Sequence, residues 1–200
     1  MHQVNVVLFD GFETLDAFGP VEILGRIAEA FSVCFFSASG GVVSSSQGAG
    51  VVTEPFSALE SAGGILLVPG GSGTRVLVHD AAFVSALRAF AEASAFVLTV
   101  CTGSVLFSKT GLLDGREATT NKRVFAWAPQ ESPSVKWVRK ARWVRDGTFY
   151  TSSGVSAGMD MAYAFVADLL GEDVARRQAN EIEYFRHTDP GDDPFAALYD

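Results

Sequence analysis

Short, continuous apolar runs alternate along the chain with longer stretches of helical periodicity. Val4 to Phe9, Ile65 to Val68 and Phe96 to Val100 are rich in β-branched and aromatic residues, which predicts central strands buried on both faces. Between them Val21, Leu24, Ala28 and Phe31 recur at helical spacing, and Phe83, Leu87 and Phe90 do so in a second helix. Ser32 to Ala38 adds another strand. Strands and helices taking turns in this way predict an α/β architecture, a mostly parallel central sheet with helices on both faces.

Weaker patterns fill in the margins. Ser39 to Thr53 is rich in Gly and Ser with Val pairs at each end, and reads as a hairpin at the edge of the sheet. Val135 to Arg145 and Thr148 to Thr151 flank Asp146-Gly147, a dipeptide suited to a turn that needs positive φ, so they predict a second hairpin. Ser156 to Leu170 and Glu172 to Phe185 read as helices, with Gly171 placed to cap the first. After His187 the breakers Thr-Asp-Pro-Gly-Asp-Asp-Pro end regular structure. One domain over 1–187 is expected, followed by a tail over 188–200 whose Phe195, Leu198 and Tyr199 dock on its surface.

Composition narrows the function classes. The chain of 200 residues is 48% hydrophobic and 19% charged, inside the range of ordinary globular domains. No apolar run reaches the roughly 18 residues of a membrane span, and the N-terminus runs into a strand without a basic leader, so a soluble, cytoplasmic protein is expected. A net charge of -8 argues against broad adhesion to nucleic acid or anionic membranes. Lys136, Arg139, Lys140, Arg142 and Arg145, interleaved with Trp137 and Trp143, read as a solvated edge strand guarded by charge, not as a nucleic-acid platform. Cys34 and Cys101 lie in unlike surroundings, which supports neither a disulfide framework nor a metal site and fits a reducing compartment.

The chemistry concentrates at Cys101. The strand Phe96 to Val100 stops at Cys101-Thr-Gly-Ser104, and Val105 to Thr110 then reads as a helix ended by Gly111. Such a strand-to-helix elbow lifts its central side chain out of the sheet beside unpaired backbone N–H groups, which favours a thiolate nucleophile. Cys34, inside Val-Cys-Phe-Phe, reads as an apolar filler. A nucleophile also needs oxyanion donors and a proton carrier. The N–H groups of Gly70 and Gly71, in the turn after Val68, and of Thr102 are the candidate donors. The segment lacks the Lys and spacing of a phosphate loop. His2, His79 and His187 all lie far from the elbow in sequence. Glu13 and Asp16 follow the first strand to the same sheet edge, although Asp16, ahead of a helix opened by Gly19-Pro20, reads on its own as that helix's cap.

These motifs resemble the DJ-1/PfpI superfamily, and within it the isocyanide hydratase-like branch. The resemblance is carried by Leu15-Asp-Ala-Phe-Gly-Pro20, Val68-Pro-Gly-Gly71, Val100-Cys-Thr-Gly-Ser104, Gly111-Leu-Leu-Asp-Gly-Arg-Glu-Ala-Thr-Thr120, and Val144-Arg-Asp-Gly147 leading to Ser153-Gly-Val-Ser-Ala-Gly158. It implies a flavodoxin-like three-layer sandwich with a nucleophile elbow, usually a homodimer acting on a small molecule. It makes Asp16 the acidic partner of Cys101 and returns Glu13 to the surface. It also places Gly154, Val155 and Asn121 at the substrate pocket. The reaction implied adds water to an isocyanide through a thioimidate on Cys101, giving an N-substituted formamide with no metal or organic cofactor. Two departures matter. Thr102 stands where proteolytic relatives carry His, and Asn121-Lys122 replaces the His-Trp of many hydratase-like members. Other relatives suggest action on small dicarbonyls, redox sensing, or ligand binding for regulation. The regulators append a helix-turn-helix for which 200 residues leave little room.

Overall fold

The computed structural model describes residues 1–59 and 62–199. In chain order the elements are β1 (His2–Val7), α1 (Thr14–Gly25), β2 (Phe31–Ser37), β3 (Ser39–Ser44), β4 (Gly50–Pro55), β5 (Ile65–Val68), α2 (Thr74–Leu77) and α3 (Ala81–Ala93). They continue with β6 (Phe96–Val100), α4 (Gly103–Ser108), β7 (Glu117–Ala118), α5 (Trp127–Glu131), β8 (Lys136–Trp137), β9 (Trp143–Asp146), β10 (Phe149–Ser152), α6 (Ala157–Leu170) and α7 (Glu172–Glu181).

An 8-stranded sheet in the order β3-β4-β2-β1-β5-β6-β10-β9 organises the molecule. Its interior pairs are parallel, and only the edge strands β3 and β9 run antiparallel. The edge hairpin of β3 and β4 and the turn at Asp146-Gly147 lie where the pattern predicts them, with Gly147 at φ 64°. Helices α1, α6 and α7 pack together as one layer, and α2, α3 and α4 as another. β5 is buried along its whole length, as its unbroken Ile-Leu-Leu-Val requires. Strand order reverses between β1 and β5, so the loops after β1, β5 and β6 meet in a crevice at their carboxyl ends, where open α/β sheets bind ligands.

Several expected boundaries are corrected. Helix α1 stops at Gly25, and Phe31, in phase with it by coincidence, opens β2 and packs on Phe165 from α6. Pro20 lies inside α1 instead of opening it. Helix α7 ends at Glu181, because Glu183 takes φ 55° and the chain turns to present the His187 N–H to Asp160 at 2.9 Å. Phe185 is left exposed.

The strand expected from Val135 to Arg145 is two short pieces in different sheets, β8 beside β7 and β9 at the edge of the main sheet. The basic residues therefore share no single face. Arg142 turns inward to Asp160 at 2.6 Å, Arg145 pairs with Asp168 at 3.0 Å, and Arg139 lies over the Phe125 ring. The same inward turn anchors the tail, whose last residue, Asp200, lies outside the described residues. Asp193 is buried between Lys122, at 3.7 Å, and Arg142, at 3.8 Å, and its N–H bonds to the Lys140 carbonyl. Asp193 and Ala196 are thus the buried tail residues, while Phe195, Leu198 and Tyr199 stay largely exposed.

Candidate active site

The elbow forms as the sequence requires. Cys101 sits at φ 58°, a left-handed conformation costly for a non-glycine residue, and neighbouring strands over-determine it. Its N–H donates to the Ser152 and Ser153 carbonyls at 3.1 Å, and its carbonyl accepts from Thr120 Oγ1 at 2.7 Å. Gly103 lets the turn press on the end of β5, since a Cβ there would stand 2.7 Å from the Pro69 carbonyl oxygen. Cys101 is 6% exposed, on the wall of a cavity of about 440 Å³ that it shares with Glu13, Arg75, Thr102, Asn121, Arg123 and Val155, among others.

Asp16 does not cap a helix. It lies within α1, wholly buried, and its Oδ2 accepts the Gly70 N–H at 3.0 Å. Its Oδ1 is buried without a conventional hydrogen-bond partner among the described residues. Burial pushes the carboxyl up to about 7, against the pull of the Gly70 N–H; the Glu13 charge adds to the rise, and the adjacent Cys101 thiol draws it back slightly. Burial also pushes the Cys101 thiol well above its ordinary range, and the Asp16 charge pushes further. Asn121 and the N–H groups of Thr102 and Val155 oppose this. The expectation that helix-end donors hold Cys101 as a thiolate is thereby corrected: at the short helix α4 desolvation outweighs them. The two groups behave as one buried acid that carries a proton between them above pH 7.

The expected oxyanion donors are redistributed. The Gly70 N–H is taken by Asp16, and the Gly71 N–H by Thr102 Oγ1 at 3.0 Å, so neither points freely at a substrate. The N–H groups facing the sulfur are those of Thr102 and Val155. The Thr102 hydroxyl instead clamps the turn after β5, whose Thr74 hydroxyl bonds the Gly71 carbonyl at 2.7 Å. Glu13, read as a surface residue, lines the cavity.

Asn121 has more than a pocket role. Its side-chain amide donates to Cys101 Sγ at 3.1 Å, and its Oδ1 accepts the Arg123 N–H at 2.9 Å. Gly154 makes room for it, because a Cβ there would fall 2.7 Å from Asn121 Nδ2. Gly154 itself lines an adjoining cavity of about 290 Å³, which Asn121, Arg123 and Val155 share with the cysteine's. Val155, at φ 35°, is a second strained residue at the site. Its contribution through a backbone N–H has no signature in side-chain pattern. Lys122, marked in the sequence only as a departure from the family pattern, has its side chain 2% exposed, and its Nζ donates to Thr119 Oγ1 at 2.7 Å and to the Ala141 carbonyl at 2.6 Å.

Cys34 is half-buried on β2, and both cysteines are free. Among the described residues no group of three or more His, Cys, Asp or Glu side chains could hold a metal ion, and no helix is long and apolar enough to cross a membrane.

The chain is 31% identical over 186 residues to the isonitrile hydratase of Pseudomonas putida, covering 91% of this chain and 78% of that protein. It is 32% identical over 176 residues to the HTH-type transcriptional regulator CdhR of Pseudomonas aeruginosa, covering 84% of this chain and 51% of the regulator. The crystal structure of a ThiJ/PfpI family protein from Pseudomonas syringae superposes with a TM-score of 0.82 at 26% identity, over 93% of this chain and 76% of that one. The sequence pattern of the DJ-1/PfpI family matches residues 2–168, and the chain belongs to that family.

Proposed function

We propose that the protein is a cysteine-dependent hydratase that adds water to an isocyanide and releases an N-substituted formamide. The observation that carries this reading is the buried Cys101 beside the buried Asp16, both with raised pKa, at a cavity of small-molecule size. The 31% identity to an isonitrile hydratase over most of both chains supports it.

An isocyanide needs a nucleophile and a proton at the same terminal carbon. In the one-proton state the thiol proton passes to Asp16 as Cys101 Sγ attacks that carbon, so no free thiolate has to persist in a buried site. Asp16 then delivers the proton to the carbon, leaving a thioimidate. Asn121 and the N–H groups of Thr102 and Val155 steady the sulfur while it carries charge. Asp16, again a carboxylate, takes a proton from water as the hydroxide adds to the thioimidate carbon, and the nitrogen gains that proton. Collapse breaks the C–S bond and returns the hydroxyl proton to sulfur, so the sum is isocyanide plus water to formamide.

A redox sensor is a poorer fit, because sensing cysteines are exposed and low in pKa, and Cys101 is neither. The test is turnover of an aryl isocyanide beside methylglyoxal, with wild type and Cys101→Ala. Formamide production by the wild type alone is expected. Faster consumption of the dicarbonyl, with no formamide, would replace the hydratase by a dicarbonyl-processing enzyme.

A further inference from the structure

The walls of the cysteine cavity carry charge that the hydration chemistry does not use. Arg75 from α2 and Arg123 from the turn after Asn121 both line it, and neither forms an ion pair among the described residues. That is notable in a chain with 23 acidic and 15 basic side chains, where Arg26, Arg88, Arg116, Arg142, Arg145, Arg176 and Arg186 all find carboxylates. Arg75 is tied to ordered structure by its guanidinium and Arg123 by its backbone. Arg75 stacks on the Trp127 ring at 3.6 Å from its centroid, which fixes its plane at low entropic cost. Arg123 sits in the turn whose Asn121 touches Cys101, and its N–H bonds that same Asn121.

We infer that Arg75 and Arg123 form an anion subsite beside Cys101, and that the substrate carries a carboxylate on the substituent remote from its reacting carbon. Glu13 is the one carboxylate among the described residues that line the cavity, and it forms no ion pair with either arginine. The two guanidiniums face the Glu13 carboxylate and the single negative charge of the buried pair, a balance too small for a phosphate dianion and better matched by a singly charged carboxylate. Guanidinium forks also suit a planar carboxylate in bidentate fashion. The inference rests on the reading of Cys101 as the group that acts on the substrate, and it adds a substrate class to it.

The test uses anionic iodoacetate and neutral iodoacetamide as probes, with alkylation of each cysteine followed by peptide mass mapping and Cys34 as the reference within the same molecule. At low salt the ratio of iodoacetate to iodoacetamide rates at Cys101 is expected to exceed that at Cys34 by about tenfold, roughly what two partly exposed ion pairs supply. The excess should collapse in concentrated salt and in the Arg75→Gln/Arg123→Gln variant, persist in Arg75→Lys/Arg123→Lys, and grow in Glu13→Gln. An equal ratio at both cysteines, or a Gln variant with the ratio intact, would overturn the subsite.

Turnover of 4-isocyanobenzoate and its methyl ester then separates this inference from the hydratase reading. Preference for the acid, lost in the Gln variant, supports both. Absence of formamide from either compound, with the alkylation preference intact, ends the hydratase reading and supports the subsite. Equal turnover of acid and ester ends the subsite and leaves the hydratase.

Discussion

The side-chain amide of Asn121 donates to Cys101 Sγ across 3.1 Å, and this is the side-chain hydrogen bond that opposes the burial of the sulfur. Its removal should therefore be felt by the thiol before anything else. Asn121→Ala is expected to raise the Cys101 pKa further and to slow its alkylation about tenfold or more, the worth of one hydrogen bond to a charged group. Cys34 should react as in the wild type. Unchanged reactivity of Cys101 would show that the amide does not steady the sulfur.

Asp16 predicts a pH dependence of stability with a definite sign. Its folded-state carboxyl titrates at about 7, above the ordinary 3.8, so the native protein keeps a proton that the unfolded chain has lost. Through this group stability is greatest in acid, falls as pH rises from about 4 to about 7, and is level beyond. Asp16→Asn abolishes that slope and can still accept from Gly70. The gain in Tm of the variant over the wild type should therefore increase from about pH 4 to about pH 8, while turnover falls roughly 10²- to 10⁴-fold. A Tm difference that is flat with pH would mean that Asp16 ionises normally.

Gly70 should prove indispensable for a reason of space. A Cβ there would lie 2.7 Å from both the N and Oγ1 of Thr102 and 2.8 Å from Asp16 Oδ2. Gly70→Ala is expected to cost about 1–3 kcal/mol by overpacking and to remove most activity, because it parts Asp16 from the elbow while the circular dichroism stays native. Full activity in that variant would mean that the close approach of these groups is incidental.

The tail should matter to the site through charge. Asp193 is buried against Lys122 and Arg142, and Lys122 directly follows Asn121. Asp193→Ala leaves two buried cations with less compensation and is expected to cost about 3–5 kcal/mol in urea unfolding. It should also slow Cys101 alkylation by loosening Asn121. A loss under 1 kcal/mol would show that the tail only rests on the domain.

Much of this arrangement was legible from pattern. Ile65 to Val68 and Phe96 to Val100 could be nothing but buried strands, and the stop at Cys101-Thr-Gly-Ser104 marked the elbow, because hydrophobic runs and breakers act locally. The boundary errors came from contacts made at long range. Phe31 kept helical phase but was captured by pairing with His2, and Val135 to Arg145 was divided by the pull of Asp160 on Arg142. At the site, residue types pointed to Cys101 and, through resemblance, Asp16. The hydrogen-bond directions did not follow, since the Gly70 and Gly71 N–H groups answer acceptors distant in sequence. Nor could position alone show that burial would outweigh the helix end at Cys101.

Covalent catalysis by Cys101 is tested most directly by acid-quenching the enzyme during turnover of an isocyanide and measuring its mass. Wild type should carry an added mass equal to the isocyanide, mapped to the peptide containing Cys101, that forms and decays as formamide accumulates, and Cys101→Ala should show neither adduct nor product. Undiminished formamide production by Cys101→Ala would contradict the account.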